Sequence, residues 1–114
     1  MTDAPIVEVR TYHIKPGYRH EFVELFQERA RPAQELYGMK VLGPLLDLEN
    51  PNVVIWLRSF PSLEDRDRLK NSLYEGPEWT SGLEELVMPM LDRCSLVVTQ
   101  ASPEALEGSL IHER

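Results

Sequence analysis

Arg10 and Tyr12 stand two residues apart in a segment, Ile6 to Ile14, whose side chains alternate in character. As a strand, this segment sends both from one face about 7 Å apart, so a guanidinium and a phenol can meet one small ligand together. A second alternating segment, Val53 to Phe60, carries Trp56 and Arg58 with the same spacing. Arg58 adds a permanent cation, and Trp56 a flat apolar wall. Forked guanidinium hydrogen bonds suit a carboxylate or a developing enolate oxygen. His13 follows on the first segment, where an imidazole titrating near neutrality can take a proton from an acidic C–H or O–H. Arg10, Tyr12, His13 and Arg58 are therefore the candidate catalytic residues.

Each has a structural alternative. Arg10 and Arg58 can pair with Glu8 or Asp47 as dimer or sheet-edge ion pairs, with Tyr12 and Trp56 filling the core. His13 lies beside Lys15-Pro16-Gly17, where a surface or backbone-bonded histidine is common. Arg66 falls in a helical segment and points either outward or into a pocket; its spacing excludes helix-face pairing with Glu64 and Asp65. Tyr74 and Trp79 flank Gly76-Pro77, as a lid over bound ligand or as anchors that dock a broken helix. Trp56, Arg66, Tyr74 and Trp79 are thus candidate substrate-binding residues.

The elements that must position these groups follow from periodicity. After the first strand, the pattern changes at Tyr18 to Phe22, Leu25, Phe26 and Arg29, an amphipathic helix expected to close before Pro32. Tyr37 to Leu48 is apolar around Gly43-Pro44, which predicts an edge strand with a bulge or break there. Val53 to Phe60 reads as an interior strand. Ser62 is placed to cap a helix near Asp65, with acidic residues in its first turn, running to about Tyr74. Gly76-Pro77 breaks it, a shorter helix restarts from Glu78 to Val87, and Cys94 to Thr99 returns to strand.

The order is βαββαβ, the ferredoxin-like α+β arrangement of a four-stranded antiparallel sheet with helices on one face. The other face is left bare, and apolar side chains on both faces of at least two strands predict a homodimer whose sheets pack together. Residues 1–100 are expected to form the single domain and 101–114 a C-terminal tail.

The 114 residues suffice for one core, and 42% hydrophobic with 27% charged residues argues against disorder or a membrane protein. A formal net charge of -7 disfavours nucleic acid and anionic lipid as partners. Cys94 is alone, which excludes an intrachain disulfide and suits a reducing compartment. With no leader-like start and no long apolar run, a cytoplasmic location is expected. No metal is expected, because His13, His20 and His112 lack ligand spacing; a phosphate-binding glycine loop and a serine-hydrolase elbow are likewise missing.

Two blocks resemble one family. Val9-Arg10-Thr11-Tyr12-His13-Ile14-Lys15-Pro16-Gly17 is similar to the opening of NIPSNAP domains. Ile55 to Arg66, followed by Tyr74-Glu75-Gly76-Pro77-Glu78-Trp79, resembles the strand-to-helix passage and Gly-Pro-x-Trp segment of one NIPSNAP branch. The resemblance covers most of residues 6 to 100. It implies a dimeric α+β barrel, a superfamily that holds cofactor-free monooxygenases, small isomerases and dehydratases, and haem-degrading enzymes, and whose pocket lies between helices and sheet. Haem-degrading relatives supply an axial histidine from a late helix, and here none occurs between His20 and His112. Two functions remain open: a cofactor-free enzyme on a small aromatic or anionic metabolite, or a non-catalytic homodimeric binding or scaffold protein.

Overall fold

A computed structural model describes residues 5–102; most of the expected tail lies outside them. Strand β1 (Ile6–Ile14) leads to α1 (Arg19–Leu25), which continues through a π turn (Phe26–Ala30) into α2 (Arg31–Leu36). Strands β2 (Lys40–Leu46) and β3 (Val53–Phe60) follow, then α3 (Leu63–Glu75), a kinked turn (Trp79–Leu83), α4 (Glu84–Val87), a 3-10 turn (Met88–Met90) and β4 (Leu91–Gln100). The sheet is antiparallel in the order β2-β3-β1-β4, so β1 and β3 are central. This is the ferredoxin-like α+β fold.

The first helix does not close before Pro32. Proline lacks the N–H that an α-helical turn would use and its ring crowds the carbonyl four residues back. The chain widens first, with the Arg31 N–H donating to the Phe26 carbonyl five residues back, and Pro32 then occupies the first turn of α2. The helix runs on to Leu36 and so presents Gln34, which a stop at Pro32 would have left in a loop.

Strand β2 is an edge strand, and its register against β3 shifts between Leu42 and Leu45. Gly43 sits there at φ 117, and a Cβ at that position would come 2.9 Å from the Trp56 Cβ, so only glycine lets the edge strand lie this close to Trp56. The Ser62 Oγ accepts from the Asp65 N–H at 3.1 Å and starts α3 as expected. After Gly76-Pro77 the restarted helix is kinked at Ser81 and Gly82, the latter at φ 146.

The helices cover β2, β3 and β1. Ile14, Val54, Trp56 and Phe60 from the sheet meet Phe22, Phe26, Leu69, Leu73, Leu83 and Val87 from the helices. Strand β4 is left out of this layer: Leu96, Val97 and Val98 are all exposed, although its pairing places Leu96 and Val98 on the helix side. Among the described residues, no helix is long and apolar enough to cross a membrane.

Candidate functional site

Glu8, Arg10 and Tyr12 alternate with Val7, Val9, Thr11 and His13 along β1, and the first set faces the helices. Antiparallel register places Arg58 directly opposite Glu8 and Trp56 opposite Arg10, the cross-strand spacing at which side chains meet. The result is one carboxylate surrounded by cations. The Glu8 Oε1 accepts from Arg10 Nε and Arg58 Nε, both at 2.7 Å, and its Oε2 accepts from Arg66 Nε at 2.6 Å. Lys70 Nζ stands 4.0 Å from the same Oε2. Arg66 and Lys70 come from one face of α3, four residues apart.

Glu8 is fully buried at 0% exposure. Burial alone pushes its carboxyl pKa up, but the neighbouring Arg58 charge and the Arg10 hydrogen bond prevail and bring it from 4.5 to about 2. Burial opposes the Arg10 charge, yet Tyr12, Tyr74 and Glu8 around it raise its pKa. Burial raises the Tyr12 hydroxyl above its ordinary value against the opposing pull of Arg10. Lys70 is lowered, first by burial and then by the like charge of Arg66.

Arg58 extends this cluster toward the helices. Its Nη1 donates to Gln34 Oε1 at 2.6 Å and its Nη2 to the Tyr74 hydroxyl at 3.1 Å. Both Arg58 and Arg10 lie over the Trp56 ring, at 5.5 and 5.4 Å from its centroid, within cation–π range. Beside them is a cavity of about 40 Å³ bounded by Tyr12, Phe26, Gln34, Trp56, Tyr74 and Trp79 among others. That volume holds roughly three water-sized positions. Trp56 is 3% exposed, and among the described residues its indole N–H is a buried donor with no acceptor.

Arg10, Tyr12, Trp56, Arg58, Arg66, Tyr74 and Trp79 therefore gather around Glu8 and this cavity. His13 does not join them, since it leaves β1 on the opposite face, with Val9 and Thr11. Asp47, the other acid considered for the arginines, accepts instead from the backbone N–H groups of Glu49 and Asn50 in a turn. The ion pairs lie at the sheet centre rather than its edge. Glu8 entered the sequence reading only as a structural partner, and a lone acid sharing a face with Arg10 on a central strand was the signal for its larger part. Gln34 and Lys70 carried no signal, because their contacts span 24 and 62 residues of chain. Among the described residues no group of three His, Cys, Asp or Glu is placed to hold a metal ion.

Tyr74 and Trp79 pack edge to face at 5.3 Å, closing the helix side of the cavity. The Trp79 segment is held by the Tyr37 hydroxyl, which donates to Glu78 at 2.6 Å.

The four-stranded sheet with its helices on one face and a cavity between the layers defines a ferredoxin-like α+β domain. An antibiotic biosynthesis monooxygenase shares it, with a TM-score of 0.63 at 13% identity over 86% of this chain and 99% of that one. The NIPSNAP family profile matches residues 7–103, and the chain belongs to that family. It is similar to a NIPSNAP family protein of unknown function from Agrobacterium tumefaciens, with a TM-score of 0.79 at 19% identity over 88% of this chain and 90% of that one. It is similar also to a NIPSNAP-like domain protein from Burkholderia xenovorans, with a TM-score of 0.76 at 28% identity over 84% of each chain. Comparison with curated proteins finds no match.

Proposed function

We propose that this chain is a homodimeric NIPSNAP domain that binds a small, flat ligand through an oxygen atom in the cavity between sheet and helices. The observation that carries this reading is the Trp56 indole N–H, buried without an acceptor at a cavity whose other polar walls are Tyr12, Gln34, Arg58 and Tyr74. A buried donor left unpaired costs about 1–3 kcal/mol, and a ligand oxygen removes that cost. Aromatic walls favour a planar ring. A ring is larger than the present cavity, so entry moves the Trp79 side, which is joined to α4 through the Gly82 kink.

Binding is favoured over proton abstraction by the groups present. Glu8 at about 2 is a weak base already engaged by three guanidinium groups, Tyr12 is raised, and His13 lies across the sheet. A second reading, a cofactor-free enzyme of monooxygenase or isomerase type, is supported by the two permanent cations at Trp56. These would stabilise the oxyanion of a substrate that arrives ionised.

The homodimer is supported by the bare sheet face, where Val9, Thr11, Ile55, Leu57 and Val97, the last 58% exposed, present no charge. The exposed lone thiol of Cys94 supports a reducing, cytoplasmic setting.

Calorimetric titration with phenol and benzene tests the binding. Phenol is expected to bind more tightly than benzene, and Trp56→Phe to erase most of that difference, roughly two- to tenfold for one hydrogen bond. Equal binding of the two, or a difference that survives in Trp56→Phe, would overturn the reading. Sedimentation tests the assembly: a dimer is expected, and Leu57→Glu is expected to leave a folded monomer.

A further inference from the structure

The cation cluster carries more positive charge than its carboxylate balances. Arg10, Arg58, Arg66 and Lys70 all reach Glu8, which makes four cations against one anion, a local excess of three in a chain of net charge -7. The geometry of the contacts shows where that excess is directed. All three arginines meet Glu8 through Nε, so their terminal nitrogens point elsewhere. Those of Arg58 are occupied by Gln34 and Tyr74. Arg10 has Tyr12 on Nη1 at 3.3 Å and no acceptor for Nη2 among the described residues. For Arg66, the remaining acid in reach is Asp67, 3.7 Å from Nη1 with a side chain 74% exposed.

Arg66 and Lys70 also reach solvent, with side chains 15% and 24% exposed. The neighbouring floor is the uncovered helix side of β4, where Val98 is paired with Glu8 and Leu96 with Arg10. Arg66 and Lys70 on α3 thus stand beside the exposed apolar side of β4, partly open to solvent.

We propose that Arg66, Lys70 and the outer end of Arg10 form a seat for a small oxyanion, a carboxylate or phosphate group of a metabolite. Guanidinium terminal nitrogens bind two oxygens side by side, and the lysine ammonium adds a point charge. A bound anion offsets the repulsion between Arg66 and Lys70 without displacing Glu8. Arg66 and Lys70 are not among the residues that bound the aromatic cavity, and Arg10, which lies over the Trp56 ring of its wall, stands between them and the cavity.

The test is a side-chain NMR titration of the whole protein with sodium acetate and with sodium phosphate, each against sodium chloride of equal ionic strength. Saturable shifts of the Arg66 and Lys70 signals are expected in about the millimolar range with at least one oxyanion and not with chloride. Stronger acetate binding would assign a carboxylate ligand, and stronger phosphate binding a phosphate-bearing one. Arg66→Gln is expected to weaken binding at least tenfold. Lys70→Gln, at the more exposed position, is expected to weaken it severalfold and serves should Arg66→Gln fail to fold. Absence of saturable shifts, equal shifts with chloride, or full binding by Lys70→Gln would overturn the proposal.

Discussion

Among the described residues Glu8 is the only carboxylate that Arg10, Arg58 and Arg66 share, and replacing it by glutamine removes its charge while keeping its size. The expected cost follows from the proton linkage of the wild-type group. Its pKa falls from 4.5 to about 2 on folding, and a fall of that size at about 1.36 kcal/mol per unit corresponds to about 3 kcal/mol. Removing one partner of a buried ion pair costs about 3–5 kcal/mol, so two independent arguments agree. The sign is fixed by the lowered pKa. The folded state binds the Glu8 proton more weakly than the unfolded chain, so this stability is fully present above pH 4.5 and is lost as pH falls toward 2. Urea denaturation of both proteins between pH 7 and pH 2.5, at one protomer concentration because assembly shifts apparent stability, isolates the effect. Glu8→Gln is expected to be less stable by about 3 kcal/mol at pH 7, with the gap closing below pH 4.5. Other carboxylates titrate alike in both proteins and cancel. A gap under about 1 kcal/mol at neutral pH, or one that stays constant down to pH 2.5, would refute the assignment of Glu8 as the electrostatic hub.

Ser62→Ala deletes the acceptor for the Asp65 N–H and is expected to lower the denaturation midpoint by the equivalent of about 1 kcal/mol, with Ser62→Asp restoring most of it. Gly43→Ala places a methyl against Trp56 at a positive φ; strain and overpacking together are expected to cost about 2–4 kcal/mol by the same assay and to move the Trp56 fluorescence maximum.

Most of the sheet was legible in the sequence because its signals are local. Alternation marks β1 and β3, Gly43-Pro44 marks an interrupted edge, and Ser62 with Asp65 marks a helix start within four residues. The same alternation puts His13 and Arg10 on opposite faces of β1, which grouping them by chemistry alone overlooked. Which face met the helices was not legible, since the β1 set that does so carries the charged Glu8 and Arg10 while the opposite set, Val7, Val9 and Thr11, is the more apolar. The helix through Pro32 was missed for a different reason. A stop before proline is the usual outcome for a regular α-helix, and the wider turn that avoids it leaves no signature in residue type. The site itself was half visible: its strand residues could be placed by spacing, whereas Gln34 and Lys70 join only when α2 and α3 are laid over the sheet.

That wide turn has a bearing on how the family's interior can change. A turn closed five residues back holds one residue more than an α-helical turn, and one residue corresponds to about 100° of rotation about the helix axis. Loss of a single codon between Phe26 and Ala30 would tighten the turn to an α-helical one, and because the two changes cancel, Gln34 would still face Arg58 and keep its 2.6 Å contact. Relatives that differ by one residue in this helix would then present the same polar groups to the pocket, the turn absorbing the change in length, so that a changed ligand preference is left to substitution in the cavity wall.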